Sequence, residues 1–98
     1  MVKPNKTDIQ RKVCKLVVKR QDYADILERA VVIEKNPPSD FVAQHGWEWD
    51  QVQAHPGKLT KLIAEGILKV GYKSNRYKHY QLVDRDAIAE ALKSCAVK

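Results

Sequence analysis

The densest set of chemically able side chains lies in the stretch GILKVGYKSNRYKHYQLVD, residues 66 to 84. There Lys69, Lys73, Arg76 and Lys78 are interleaved with Ser74, Asn75, Tyr77 and His79. Ammonium and guanidinium groups at this density neutralise phosphates, and the aromatic rings can stack or donate hydrogen bonds. Catalysis would need other signals. The chain has no glycine-rich phosphate loop, nucleophile–base pair or convincing carboxylate pair, so an enzyme is not expected. His45, His55 and His79, together with Cys14 and Cys95, match no zinc spacing, so no metal or other cofactor is expected. Phe41, Trp47 and Trp49 read as core or local packing rather than a ligand box.

Side chains alternate faces along a strand, which puts Leu68, Val70 and Tyr72 on one side of a hairpin, joined by Tyr80 and Leu82. The opposite side would carry Lys69, Lys73, Tyr77, His79 and Gln81. Since the apolar side must be buried, the basic and aromatic side is the one expected to face solvent or a ligand. Just upstream, Pro56 would cost roughly 3 kcal/mol inside a helix but is tolerated in its first turn. A helix is therefore expected from His55 or Pro56 to Gly66. Leu59, Leu62 and Ile63 would point inward, and Gly57, Thr60, Lys61 and Ala64 outward, flanked by Lys58 and Glu65.

Earlier elements follow from caps and periodicity. Thr7 or Asp8 can cap a first helix with Ile9, Val13, Leu16 and Val17 inward and Arg11, Lys12, Lys15 and Lys19 elsewhere on its circumference. Asp22 opens a second, with Ala24, Leu27, Ala30 and Val31 inward and Asn36-Pro37-Pro38 as its stop; Val31 to Ile33 could instead be a short strand. Ser39 or Asp40 caps the short helix DFVAQHG. Asp84 caps a final helix whose Ala87, Ile88, Ala91, Leu92 and Cys95 form an apolar stripe. That stripe could complete the chain's own core or pair with a copy of itself in a homodimer.

A chain of 98 residues has material for one core. The net charge of +6 is unevenly spread, at +6, −5, +5 and 0 over residues 1–20, 21–50, 51–80 and 81–98. Such polarity suits a polyanion. No apolar run approaches the ~20 residues of a bilayer span and the N-terminus has no signal-peptide centre, so no membrane association and an intracellular location, in cytoplasm, nucleoid or nucleus, are expected. In that compartment Cys14 and Cys95 read as two buried free thiols.

A helix ending in Leu59-x-x-Leu62-x-x-x-Gly66-Ile67-Leu68, followed by a basic hairpin ending in Tyr80-x-Leu82, resembles the winged helix-turn-helix family over roughly residues 22 to 83. The resemblance implies a mostly α fold with a small β-hairpin wing. Residues 1–98 would form one such domain, with a flexible stretch at 1–6, an additional helix at 7–21, the core at 22–83 and a last helix at 84–95. It makes Asp40 to Gly46 the supporting helix, His55 to Glu65 the recognition helix and Leu68 to Leu82 the wing. One departure is the longer tryptophan-bearing segment WEWDQVQA where the family has a short turn, which leaves open whether Gln51 and Gln53 lie on the recognition helix.

The resemblance and the basic hairpin together lead to an expectation of double-stranded DNA binding, by a transcriptional regulator or the DNA-binding part of a DNA-processing protein. The recognition helix would offer Gly57, Lys58, Thr60 and Lys61. Contacts on the wing would come from Lys69, Lys73, Ser74, Asn75, Arg76, Tyr77, Lys78 and His79. Gln51, Gln53, Arg11, Lys12 and Lys15 are candidates for additional contacts. Poverty in base-reading Arg, Asn and Gln on the helix predicts modest sequence specificity. The rival is a protein–protein interaction module built on Trp47 and Trp49, since fold does not fix function. A third reading is single-stranded nucleic acid stacked on Tyr77 and His79.

Overall fold

The computed structural model describes residues 6–95. Five helices and one hairpin follow in the order α1 (Lys6–Lys19), α2 (Gln21–Lys35), α3 (Asp40–His45), a 3₁₀ turn (Trp49–Val52), α4 (Pro56–Ala64), β1 (Leu68–Lys73), β2 (Lys78–Leu82) and α5 (Arg85–Cys95). The fold is thus mostly helical with a two-stranded antiparallel hairpin. Of the stretch expected to be flexible, residues 1–5 lie outside the described residues and Lys6 is already helical. Among the described residues no helix is long and apolar enough to cross a membrane.

The helical stripes meet as their periodicity requires. Ile9, Val13 and Val17 of α1 are buried, as are Ala24, Leu27, Ala30 and Val31 of α2 and Ala87, Ile88, Ala91 and Leu92 of α5. α5 lies along α1, and both pack on α2. The stripe considered for homodimer pairing is therefore buried within its own chain, leaving α5 a polar outer face. Val31 to Ile33 are helical, which settles them as the end of α2 rather than a strand. Arg20, in extended conformation between α1 and α2, lays its guanidinium 5.4 Å from the Tyr23 ring centre and bonds Asp22.

The expectation of two separate thiols is overturned. Cys14 and Cys95 sit half-buried on the facing edges of α1 and α5 and are joined in a disulfide across a sequence separation of 81. Closing a loop of that length removes about 4.5 kcal/mol of chain entropy from the unfolded state in the entropic model. The bond fastens the first helix to the last.

The caps explain where the short helices begin. Ser39 Oγ accepts from Val42 N at 3.2 Å to start α3, and Asp84 Oδ1 accepts from Ala87 N at 3.1 Å to start α5. At α4 the N-cap is His55, whose Nδ1 accepts from Gly57 N at 3.0 Å, with Pro56 in the first turn. Leu59 and Leu62 are fully buried and Ile63 partly so.

The hairpin departs from simple alternation. Leu68 pairs with Leu82, Lys69 with Gln81 and Val70 with Tyr80, but Tyr72 then pairs with His79, leaving Gly71 as an extra residue in β1. This bulge moves Tyr72 to the basic and aromatic side, and the burial expected for Val70 and Tyr72 is not found, both being exposed. There α3 roofs the strands: Phe41 lies 5.4 Å from Tyr72 and 5.0 Å from His79, centre to centre, and His45 lies 4.9 Å from Tyr72. Glycine is needed for that approach, since a Cβ on Gly71 would lie 2.5 Å from the His45 carbonyl oxygen. On the other edge of β2, Trp47 forms a one-residue antiparallel bridge with Tyr80, with N···O distances of 3.0 and 2.7 Å. Glu34 ties this corner together by accepting from Trp47 Nε1 at 2.9 Å and Leu82 N at 2.7 Å.

Candidate nucleic-acid interface

α4 turns Gly57, Thr60, Lys61 and Ala64 to solvent, the face its periodicity implied. One cleft runs along each side of it. The first, of about 510 Å³, is lined by Lys12, Lys15 and Lys19 of α1, by Arg20 and Tyr23, and by Lys61 and Glu65 of α4. Lys61 also reaches Glu65 at 3.6 Å, an exposed pair one helical turn apart. The second, of about 250 Å³, lies between the 3₁₀ turn and the hairpin tip and is lined by Trp49, Thr60, Arg76, Tyr77 and Lys78, among others. Cations from α1, α4 and the hairpin thus border one exposed helix face. Sequence reasoning left the relation of α1 to the rest of the basic surface open; the fold brings α1 beside α4.

The tip is built to project. Ser74 N donates to the Tyr77 carbonyl at 2.8 Å, and Tyr77 N donates to Ser74 Oγ at 3.1 Å, closing a tight turn. Ser74 therefore holds the turn together, whereas Asn75, Arg76 and Tyr77 are exposed on it. Lys73 and Lys78 are directly cross-strand. Like charges in that position destabilise a hairpin, so the arrangement favours an anion between or beyond them.

Lys58 is anchored rather than free. Its Nζ lies 2.6 Å from Asp22 Oδ2, which also accepts from Arg20 Nη2 at 3.0 Å. The hydrogen bonds from Lys58 and then Arg20 hold the Asp22 carboxyl down to about 2. Lys58 and Arg20 are thereby fixed beside the first cleft, partly neutralised by one carboxylate.

Several candidates lie elsewhere. His79 is the clearest correction: it is 7% exposed, and its Nδ1 lies 3.1 Å from the Gly46 carbonyl oxygen under α3. The Gly71 bulge and the α3 roof make it a packing residue, not a surface contact. Lys69 is exposed but lines a different cleft with Glu34, Val42, Gln81 and Arg85. Gln51 and Gln53 belong to the 3₁₀ turn and its left-handed cap, not to α4, and they border a groove with Glu28, Arg29 and Val32. Gln51 Oε1 accepts from Glu48 N at 2.8 Å. Arg11 pairs with Asp8 at 3.7 Å on the outer side of α1.

Arg20 was not singled out from the sequence, and Trp49 was grouped with Trp47 as packing or as a protein-partner surface. Arg20 reaches the first cleft only because the chain breaks there between two helices. Trp49 is 48% exposed beside the tip, whereas Trp47 is fully buried, so the two tryptophans part company. Spacing alone does not separate them. Among the described residues no group of three or more His, Cys, Asp or Glu side chains is arranged to hold a metal ion. Comparisons with protein families, curated proteins and solved structures returned no match.

Proposed function

We propose that the chain is a winged helix-turn-helix protein that binds double-stranded DNA, with α4 entering the major groove and the hairpin tip acting as the wing on the flanking backbone. The observation that carries this reading is the placement of Lys12, Lys15, Lys19 and Arg20 on one side of the exposed α4 face, with Lys61 on it and Arg76 and Lys78 on the other side. A helix with its side chains is ~10–12 Å across, and a groove ~12 Å wide admits it. Phosphates on either side would then meet α1 and the tip. The Trp47 bridge supports the same reading by giving β2 a partner on each edge ahead of α4 in the chain.

Affinity would come mainly from phosphate neutralisation. With Gln51 and Gln53 directed elsewhere, the α4 face offers only Thr60 and Lys61 to base edges, which supports modest specificity. Such a protein works inside the cell, as a transcriptional regulator or as part of a DNA-processing assembly. Fluorescence anisotropy with a random duplex across a salt series tests the reading. About five phosphate contacts give a slope of log K against log salt of about −4.5. Absence of duplex binding at low salt would overturn it in favour of a protein-interaction module.

A further inference from the structure

The cleft between the 3₁₀ turn and the hairpin tip is lined by three aromatic residues, Trp49, Tyr77 and the buried Tyr80. Trp49 is 48% exposed and Tyr77 54% exposed, and both line it. Among the described residues neither ring packs against another aromatic ring, and each residue keeps about half of its surface exposed. Arg76 and Lys78 stand beside them, Thr60 connects the cleft to α4, and Glu48 borders it. Thr60 Oγ donates to the Pro56 carbonyl at 3.1 Å, which leaves its lone pairs able to accept.

Half-exposed rings beside cations match one partner chemistry closely. A base inside a duplex is covered by its neighbours above and below, so an indole and a phenol can stack only on a base that has left the helix. Such stacking is favourable for any base, while the adjoining cations hold its phosphate. At about 250 Å³ the cleft is below the usual size of a drug-sized pocket and suits a single planar ring. The Glu48 carboxylate can accept from an exocyclic amine of that ring. The ring-bearing residues of β2, His79 and Tyr80, are both buried, so the exposed stacking candidates are Trp49 and Tyr77.

We infer that this cleft takes an unpaired nucleobase next to the duplex held by α4, so that the protein prefers a DNA end or junction bearing a single-stranded tail to a blunt duplex. The inference rests on the DNA-binding reading above. Its test compares two probes by anisotropy, a blunt duplex and the same duplex extended by a short unpaired tail. The wild-type protein should bind the tailed probe about tenfold more tightly. Trp49→Ala and Tyr77→Ala should each remove most of the tailed-over-blunt ratio; Trp49→Ala, outside the wing, should keep the affinity for blunt duplex, and a denaturation curve on each variant is the control for folding. Trp49→Phe, which keeps a π face, should retain most of the preference.

Intrinsic fluorescence gives a second readout, because Trp47 is buried and the tailed probe should quench Trp49 alone. Equal affinity for the two probes, with salt-sensitive duplex binding intact, would overturn the inference and leave the DNA reading standing. A preference that survives in both alanine variants would remove the cleft as its origin. Binding of neither probe would overturn both readings.

Discussion

The base and the tip of the hairpin carry similar side chains and use them in opposite ways. At the base, His79 is buried beneath α3 while Tyr72 touches the Phe41 and His45 rings and stays partly exposed, Gly46 and Gly71 let backbones meet, and Trp47 closes the far edge. At the tip, Lys73, Asn75, Arg76, Tyr77 and Lys78 are all exposed, and only the Ser74–Tyr77 turn holds them. One aromatic–histidine–cation strand is thus divided into a packed half and an open half. The divide falls one pair beyond the bulge, between Tyr72–His79 beneath α3 and Lys73–Lys78 at the tip.

The packed half should break most severely. Gly46 has φ +108°, and a Cβ there would lie 2.3 Å from the Tyr80 carbonyl oxygen, the atom that receives the Trp47 hydrogen bond. Gly46→Ala therefore combines a disfavoured backbone with an overpacked contact, at a cost of about 3 kcal/mol or more. Chemical denaturation would measure it. A loss under about 1 kcal/mol would mean that the α3 roof is loosely attached and that the base does not anchor the hairpin.

The open half should break without unfolding. Replacing Lys73, Arg76 and Lys78 together by Ala should leave stability unchanged or slightly raised, because the cross-strand lysine pair is removed. If all three touch phosphates, the slope of log K against log salt becomes shallower by about 2.7. Unchanged duplex affinity would remove the tip from the interface and leave α1 and α4 to account for any binding.

His79 separates the two halves most directly, because a packed and an exposed imidazole predict opposite results. As a packed residue, His79→Ala forfeits a buried hydrogen bond and ring contacts, for about 1–2 kcal/mol of stability, and leaves the salt slope alone. As an exposed contact it would do the reverse. A denaturation curve and a salt series on the same variant decide between them.

That contrast also marks what could be read from the sequence. The α4 face and its start at His55 or Pro56, the α5 stripe, and the caps at Ser39 or Asp40 and at Asp84 were legible because helical periodicity and capping are local. The fate of His79 was not. Alternation put it on the side of β2 shared with Gln81, but took that side as open, and the cover supplied by Phe41 and the Gly46 carbonyl comes from α3 and its cap, more than 30 residues earlier in the chain. The Cys14–Cys95 bond and the approach of α1 to Lys61 depend on how distant segments pack, which no short window contains. Trp47 and Trp49 differ in burial because one enters the bridge with Tyr80 and the other opens the 3₁₀ turn, a distinction of position rather than of composition.

The mildest expected effect concerns the border between packed and open surface, at Asp22. Its carboxylate occupies Lys58 and Arg20, two cations beside the α1–α4 cleft that phosphates would otherwise meet. The folded-state pKa is lowered to about 2, so the interaction is present above the ordinary carboxylate range and is lost only as pH falls through about 2. Titration of Asp22 therefore contributes nothing to the pH dependence of binding near neutrality. Asp22→Asn removes the charge yet keeps an oxygen that can accept from Tyr23 N, now bonded at 2.9 Å. It should strengthen duplex binding severalfold and steepen the salt slope by about 0.9 for each cation released to a phosphate. An unchanged slope would mean that Lys58 and Arg20 lie outside the footprint, confining the contacts to Lys61, the outer lysines of α1 and the hairpin tip.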